Sequence, residues 1–312
     1  MGGNLLNVLS LFDGISCGRI ALERANIKVD NYYASEIKKT AIKVAKLNYP
    51  DTIHIGDVTK VSYKDGVLYT ENGNYNIGKI DLLIGGSPCQ DFSTCRLLNG
   101  ENIEGLKGKK SRLFYEYLRI KNECNPTYFL LENVKMKKES EIELNNYIGI
   151  EGIHINSNLV SYQNRQRIYW TNILNVKIPK DKNINFQDFK DTDYNYSIKF
   201  KVPKTPSRER MWNNGSGRSG FVACPNVTNA KKINCITRKQ DRQPNSGLIE
   251  FDDFCRFLTQ HELEQGQTLP IGYTDCLSIR QAQDVIGDGW TVDVIAHILS
   301  YIHIKCKYNN IT

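Results

Sequence analysis

One cysteine follows a run of residues that is typical of a buried strand. The apolar residues Ile80–Ile84 lead into the segment Gly85-Gly86-Ser87-Pro88-Cys89-Gln90. The two glycines let another molecule approach the backbone, and the proline makes the turn before the cysteine rigid. A thiol with a pKa of about 8.5 becomes a nucleophile only beside donors or positive charge. Cys89 is therefore a candidate nucleophile if such groups are near, and otherwise a thiol after a turn.

A carboxylate and two arginines provide groups that suit this cysteine. Glu132 ends the next buried-strand pattern, and Arg165 and Arg167 lie on one face if their segment is extended. Together with a thiolate they suit addition to a cytosine ring. Cys89 would add to C6, Glu132 would hydrogen-bond N3 and the exocyclic amine, and one or both arginines would contact O2. The activated C5 would take a methyl group from a sulfonium donor and then lose its proton, without any metal.

Three earlier segments predict a site for an adenosine cofactor. The turn Phe12-Asp13-Gly14-Ile15-Ser16-Cys17-Gly18 joins a buried-strand pattern to a helical one, so that glycines and free helical N–H groups face a ligand. Glu36 ends the second strand, where an acid can hold both hydroxyls of a ribose. Asp57 follows the third strand and can accept a hydrogen bond from an adenine amine. A Walker-type Gly-Lys-Ser/Thr sequence is absent, which disfavours an NTPase.

The surrounding elements alternate between strand and helix patterns. This alternation predicts an α/β protein with a mainly parallel sheet that is covered on both faces, and ligands bind at the carboxyl ends of such strands. Val67–Tyr75 alternates around Asn72-Gly73, as a surface hairpin does, and Leu159–Trp170 resembles a strand-turn-strand unit. Residues 175–232 are rich in Asn, Lys, Pro, Gly and Ser and predict a small loop-rich lobe. Helical patterns return at Thr259–Gln265, Ser278–Ile286 and Val292–Ile302.

The motifs follow the order found in the cytosine-C5 methyltransferase family, which the chain resembles throughout except near residues 175–232. The matching segments are Phe12-Asp13-Gly14, Ser35-Glu36, Gly56-Asp57-Val58, Ser87-Pro88-Cys89, Glu132-Asn133-Val134, Gln163-x-Arg165-x-Arg167 and Gly287-Asp288-Gly289-Trp290-Thr291-Val292. Details such as Ala34-Ser35-Glu36, Arg112-Leu113-Phe114 and Tyr273-Thr274-Asp275 are similar to the animal de novo DNA methyltransferase catalytic domains. Bacterial members commonly have Gly-Asn-Ser-Val in the last motif, so a role for Asp288 does not carry over.

The resemblance implies a Rossmann-like, S-adenosylmethionine-dependent methyltransferase fold with a small target-recognition lobe. Residues 1–174 and 255–312 would form the catalytic domain, and residues 175–254 the target-recognition region. The implied reaction moves a methyl group to C5 of a flipped-out cytosine in a specific duplex DNA sequence, through a covalent bond from Cys89 to C6, and leaves S-adenosylhomocysteine. The implied catalytic residues are Cys89, Glu132, Arg165 and Arg167. The implied cofactor-binding residues are Phe12, Asp13, Gly14, Ser16, Gly18, Glu36, Ile37, Asp57, Val58, Gly86, Pro88, Trp290, Thr291 and Val292.

The distribution of charge supports double-stranded DNA as the partner. The formal net charge is +7, and residues 199–242 hold eleven Lys/Arg against two acids, whereas residues 243–300 hold two against nine. A basic block of this kind suits phosphate contacts. A cytosine must leave the duplex before its C6 can be attacked, and the basic loop between Cys89 and Arg112 would close over the DNA. The candidate DNA-binding residues are Arg96, Lys109, Arg208, Arg210, Arg218 and Arg238.

The composition excludes several other classes of protein. The 312 residues are 40% hydrophobic and 24% charged, which is typical of an ordinary globular protein. The nine cysteines form no Cys-x-x-Cys pair, and we expect neither a disulfide scaffold nor a metal. The sequence has no signal peptide pattern and no long apolar run, which predicts a cytoplasmic protein without membrane contact. The oligomeric state stays open, with a monomer favoured. Richness in Asn, Lys and Ile suggests a bacterial or phage source, and a cognate restriction endonuclease is an open alternative to a solitary enzyme.

Two alternatives remain open. One branch of the family acts on tRNA and has Pro-Pro-Cys followed later by Cys-Phe-Thr. In this chain, Ser87-Pro88-Cys89 and Cys235-Ile236-Thr237 match these two motifs only in part. A tRNA cytosine-C5 methyltransferase is therefore the main rival. The other alternative is a non-catalytic DNA-binding homologue, which the presence of Cys89, Glu132 and both arginines disfavours.

Overall fold

A computed structural model describes residues 5–88, 112–203, 205, 208, 225–241, 245–251 and 254–302. Five of the predicted site residues lie outside this part of the chain, namely Cys89, Arg96, Lys109, Arg210 and Arg218. Their roles stay predictions. The whole basic loop between Cys89 and Arg112 also lies outside the described residues.

Seven strands form the central sheet, in the order β3-β2-β1-β7-β8-β10-β9. Their bounds are β1 Leu6–Leu11, β2 Val29–Ser35, β3 Ile53–Gly56, β7 Leu82–Gly86, β8 Tyr128–Val134, β9 Ile153–Asn156 and β10 Gln166–Thr171. The pairs β1–β2, β2–β3, β1–β7 and β7–β8 are parallel, and β8–β10 is antiparallel. The prediction of an α/β protein with a mainly parallel sheet is confirmed.

Helices account for most of the remaining regular structure. They are α1 Cys17–Arg24, α2 Lys39–Asn48, α3 Arg112–Cys124, α4 Lys138–Ile148, α5 Tyr194–Ser197, α6 Gln260–Gly266, α7 Ile279–Asp288 and α8 Val292–Leu299. Phe114 and Tyr117 of α3 share one buried cluster with Leu11 and Leu83 of the central sheet. Helix α4 was not among the predicted elements, because only Leu144 and Ile148 of this helix are buried and the rest of it is polar or, at Ile142 and Tyr147, exposed.

The chain divides into two compact units by its contacts. The first holds residues 1–155, 166–178 and 293–312, and the second holds residues 156–165 and 179–292. Each unit also has a small antiparallel sheet. In the first unit it consists of β4 Ser62–Lys64, β5 Val67–Thr70 and β6 Gly73–Asn76, and in the second of β11 Lys201–Val202, β12 Ile249–Phe251 and β13 Phe254–Arg256. Contacts do not test which residues recognise a target, so the assignment of residues 175–254 to that task stays a prediction.

One expected element is wrong. The strand-turn-strand unit predicted over residues 159–170 is a 3-10 turn at Ser157–Leu159, followed later by the single strand β10. The intervening backbone bonds elsewhere in the second unit, since the N–H of Asn164 donates to the carbonyl of Ile233 (2.8 Å) and the N–H of Ile233 donates to the carbonyl of Tyr162 (2.8 Å). Those groups are therefore not available for a hairpin with β10.

Candidate functional site

The strand register places the predicted cofactor and catalytic segments at one edge of the central sheet. Leu11, the last residue of β1, pairs with Ser35 of β2 and with Gly85 of β7. Gly86, at the end of β7, pairs with Glu132 of β8. Because parallel strands end at a common edge, the segments that follow β1, β2, β3 and β7 are neighbours there. This is the edge at which sequence analysis predicts ligand binding.

Glu36 joins the turn after β1 to the end of β2. Its carboxylate accepts hydrogen bonds from the N–H groups of Gly14, Ile37 and Lys38, each at 2.8 Å. Gly14 has φ +61°, a left-handed conformation that favours glycine. The apolar side chain of Ile37 is 70% exposed. An anchored carboxylate beside an exposed apolar side chain suits a ligand that carries a diol and a flat ring.

Asp13 lies beneath this turn and is buried. Its carboxylate accepts hydrogen bonds from the hydroxyls of Ser10 (2.6 Å), Ser16 (2.6 Å) and Tyr32 (2.7 Å). Burial raises the pKa of the Asp13 carboxyl, and the three hydroxyl donors oppose this rise. These contacts hold the turn itself, while the sequence offered no signal that Ser10 or Tyr32 takes part. A direct cofactor contact by Asp13 stays a prediction.

The other predicted cofactor residues of the first unit have different surroundings. Phe12 is partly buried with φ 58° and packs against the core. Gly18 lies buried in α1, and Val58 is also buried. Asp57 accepts a hydrogen bond from the N–H of Thr59 (2.9 Å) and so caps the 3-10 turn Val58–Lys60. Gly86 and Pro88 are both half-buried.

Glu132 and Arg167 form an ion pair in the first unit. The Nε of Arg167 lies 2.8 Å from Oε1 of Glu132, and their side chains are only 13% and 10% exposed. The antiparallel register explains the contact, since Arg167 pairs with Val134 and therefore lies diagonally across from Glu132. The hydroxyl of Ser87 accepts a hydrogen bond from Nδ2 of Asn133 (3.2 Å), which ties the segment just before position 89 to β8. Carboxylate and guanidinium are thus held together at the end of β8.

Arg165 has different neighbours. Its buried guanidinium donates to the carbonyls of Ile236 (3.0 Å) and Gly289 (2.8 Å) and to Sγ of Cys235 (3.3 Å), all in the second unit. Its described contacts hold loops of the second unit, and its catalytic role stays a prediction.

The late glycine motif is also held within the second unit. Thr291 is buried, and its Oγ1 donates to Oε1 of Gln267 (2.9 Å) and accepts from the hydroxyl of Ser157 (2.8 Å). Val292 is buried and Trp290 is half-buried. A cofactor role for these residues stays a prediction.

Within the described part of the chain, no group of three His, Cys, Asp or Glu side chains is placed to hold a metal ion, and no helix there is long and apolar enough to cross a membrane.

Both described arginines of the predicted DNA-binding set are ion-paired. Arg238 contacts Asp288 through Nε and Nη2, both at 2.7 Å, and Arg208 contacts Asp241 at 3.1 Å. The side chains of Arg238 and Asp288 are 52% and 38% exposed, so this pair is solvated and contributes little to stability. Arg238 is therefore accessible to a polyanion that competes with Asp288.

We expect Arg238→Ala to weaken DNA binding several-fold and to reduce the salt slope of binding by about 1, because one phosphate contact is lost. Fluorescence anisotropy with a duplex at two salt concentrations measures both quantities. Arg280→Ala removes the same charge from an exposed position at the start of α7 and is the matched control. Affinity that is unchanged at low and at moderate salt would contradict the assignment.

Solved structures share this fold. A methyltransferase of Entamoeba histolytica, EhMeth, superposes with a TM-score of 0.70 at 16% identity, over 96% of this chain and 98% of that chain. The Dnmt2 methyltransferase of S. pombe superposes with a TM-score of 0.68 at 17% identity, over 95% and 97% of the two chains. These superpositions show that the chain has the same Rossmann-like fold as the two solved structures.

The sequence assigns the chain to one family. The pattern that describes the C-5 cytosine-specific DNA methylase family matches residues 6–303, and the chain belongs to that family. The type II methyltransferase M1.ScrFI of Lactococcus lactis subsp. cremoris is 39% identical over 131 residues, which is 42% of this chain and 29% of that protein. The orphan methyltransferase M.Rho11sI of Bacillus phage rho11s is 32% identical over 192 residues, 57% of this chain and 35% of that protein.

A third relative is aligned over a longer segment. The type II methyltransferase M.NgoBV of Neisseria gonorrhoeae is 29% identical over 235 residues, 65% of this chain and 52% of that protein. The chain thus spans between about a third and a half of the length of these three relatives.

Proposed function

We propose that this chain is an S-adenosylmethionine-dependent DNA (cytosine-5-)-methyltransferase that uses Cys89 as its nucleophile. The observation that carries the proposal is the register between β7 and β8. It sets Gly86 beside Glu132, and Cys89 follows Gly86 by three residues. Glu132 is already paired with Arg167 there. A carboxylate and a guanidinium thus stand next to the strand end from which the candidate nucleophile follows.

The residues after β1, β2 and β3 fit the adenosine part of the cofactor. The Glu36 carboxylate would hold the ribose hydroxyls by exchanging at least one of its backbone donors for a hydroxyl. The exposed side chain of Ile37 offers an apolar surface to the adenine ring, and Asp57 stands at the end of β3 to accept from its amine. When bound, S-adenosylmethionine supplies a methyl group on a positively charged sulfur. These three residues would bind and orient it.

The remaining groups suit activation of the cytosine. The Cys89 thiolate would form a bond to C6, and the electrons of the C5–C6 double bond would make C5 nucleophilic. Glu132 would hydrogen-bond N3 and the exocyclic amine, and Arg167 would hold Glu132 in place and contact O2. After C5 has gained the methyl group, loss of its proton to a base and departure of the thiolate restore the double bond. The atoms and electrons balance without a metal or an oxidant.

Double-stranded DNA is the substrate that we propose, with residues 175–254 selecting its sequence. The family description and the basic segment at residues 199–242 support DNA. The bacterial and phage origin of the relatives supports action in the cytoplasm of a bacterial or phage-infected cell. The relatives include a type II methyltransferase and an orphan methyltransferase. Partnership with a restriction endonuclease is therefore an alternative to a solitary enzyme, and the sequence of the methylated target can be used to test it.

A methyl-transfer assay tests the proposal directly. The purified chain is incubated with tritiated S-adenosylmethionine and either duplex DNA or tRNA, and we expect incorporation only into the DNA. Bisulfite sequencing of DNA from expressing cells then identifies the methylated cytosine and its sequence context, with DNA from non-expressing cells as the control. Greater incorporation into tRNA would favour the rival substrate, and no incorporation into either would overturn the proposal.

A further inference from the structure

The small sheet β4–β6 ends in an ordered turn that contacts β3 and the segment after it. Its strands are antiparallel neighbours in the order β4-β5-β6, as expected for a meander. The tip between β5 and β6 is ordered by Thr70, whose hydroxyl donates to the carbonyl of Gly73 (2.8 Å) and accepts from the N–H of Asn72 (3.1 Å). This tip presents Glu71 and Asn72 in a fixed geometry.

The tip contacts the segment that follows β3, here called the Gly56–Val61 loop. Oε1 of Glu71 accepts a hydrogen bond from the N–H of Asp57 (3.0 Å), and Oε2 pairs with Nζ of Lys60 (2.6 Å). Nδ2 of Asn72 donates to the carbonyl of His54 in β3 (3.0 Å). The Glu71 side chain thus bonds both ends of the turn that contains Asp57.

Gly56 shows how closely the two segments fit. It has φ +79°, and a Cβ built on it would lie 2.9 Å from Cγ and Cδ of Glu71 and closer still to Oε1. Any other residue at position 56 would be strained and would displace Glu71. The glycine therefore permits the Glu71 side chain to lie against the backbone of the loop.

A second side chain holds the loop from α3. Nη2 of Arg119 donates to the carbonyls of Val61 (2.8 Å) and Val58 (3.3 Å). The guanidinium is itself fixed by Glu116 (2.6 Å) and Glu123 (2.8 Å). With Arg119 at one side and Glu71 at the other, the loop is held before any ligand arrives.

We propose that Glu71 is a positioning residue for the adenosine part of the cofactor, acting through the Gly56–Val61 loop. This inference rests on the proposed function, because it takes Asp57 and Val58 as adenosine-side residues. A loop that is already held in its binding conformation loses little conformational entropy when the ligand binds. Glu71 would thus raise cofactor affinity without touching the cofactor or the DNA.

Isothermal titration with S-adenosylhomocysteine tests the inference on the full chain. We expect Glu71→Ala to weaken binding about five- to tenfold, as loss of a charge-assisted hydrogen bond would. Glu71→Gln keeps an acceptor for the Asp57 N–H. Its affinity for S-adenosylhomocysteine should therefore lie between that of Glu71→Ala and that of the unsubstituted protein. Asp65→Asn is the matched control, since it removes one charge from the opposite end of the same small sheet, at a φ of 51° that asparagine tolerates.

Steady-state kinetics separate positioning from general damage. For Glu71→Ala we expect a higher KM for S-adenosylmethionine, with kcat and the KM for DNA both within about twofold of the unsubstituted protein. Parallel losses in kcat and DNA affinity, or binding of S-adenosylhomocysteine within twofold of normal, would overturn the inference. If the unsubstituted protein binds no S-adenosylhomocysteine, the proposed function fails. If the unsubstituted protein binds it and Glu71→Ala binds it equally well, only the inference about Glu71 fails.

Discussion

Replacing Cys89 with alanine should abolish covalent trapping of duplex DNA that contains 5-fluorocytosine. It should also lower the rate of methyl transfer by at least about four orders of magnitude, because no other group can take the place of the nucleophile. With a fluorine at C5, the final loss of a proton cannot occur, and the bond from Cys89 to C6 therefore persists. A protein–DNA band that survives denaturing electrophoresis reports this bond.

The surroundings of position 89 give the physical reason for so large an effect. The described segment that leads to it ends in Ser87 and Pro88, with Ser87 bonded to Asn133 of β8. Glu132 and Arg167 lie in the same part of the first unit and are only slightly exposed. In the proposed mechanism, these groups assist addition of the thiolate to C6 and stabilise the resulting adduct, so they act only together with the nucleophile. Alanine at 89 leaves them without a reaction to assist.

Cys276→Ala provides the control for this experiment. Cys276 is a half-buried cysteine in the second unit, so its removal tests whether this other thiol contributes to trapping of the DNA. We expect Cys276→Ala to trap DNA normally. A trapped complex formed by Cys89→Ala would show that the nucleophile is assigned to the wrong residue.

Glu262→Gln should lower the free energy of unfolding by about 3–5 kcal/mol. Glu262 and Arg256 form an ion pair with both side chains fully buried, at 2.8 Å and 2.9 Å. Removal of one charge leaves the other in a medium of low dielectric constant without its counter-ion. The energetic penalty comes from that uncompensated charge.

The carboxylate of Glu262 also organises the backbone around it. It accepts hydrogen bonds from the N–H groups of Thr259 (2.6 Å) and Asp191 (2.9 Å), and it completes a capping box at the start of α6. Arg256 donates in addition to the carbonyl of Asp191 (3.0 Å). The pair therefore joins residues 256–262 to Asp191, which lies 65 residues before Arg256.

Urea denaturation followed by circular dichroism measures the effect. Glu250→Gln replaces an exposed carboxylate of the same unit and should change stability by no more than about 0.5 kcal/mol. The double variant Arg256→Met/Glu262→Gln removes both charges and should recover at least about 1 kcal/mol relative to Glu262→Gln alone. If Glu262→Gln and Glu250→Gln changed the free energy of unfolding by equally small amounts, the buried ion pair would not stabilise the second unit as predicted.

Sequence periodicity anticipated most of the first unit. Strand and helix patterns alternated clearly, and the residues that end β1, β2, β3, β7 and β8 were placed at one edge because parallel strands share that edge. The family resemblance was confirmed by the match over residues 6–303. The pattern failed where few side chains are buried, as in α4, and where the chain bonds to distant segments, as between residues 160 and 165.

By itself, the sequence determined the class of fold, the order of the motifs and the residue types available for chemistry, because these depend on local spacing. The tertiary structure alone decided which groups meet. It pairs Glu132 with Arg167, directs Arg165 to carbonyls more than 70 residues away, surrounds Asp13 with three hydroxyls and sets Glu71 against Gly56. Apart from those of Asp13 with Ser10 and Ser16, these contacts join residues that are far apart in the chain, and no local pattern of hydrophobicity or charge records them.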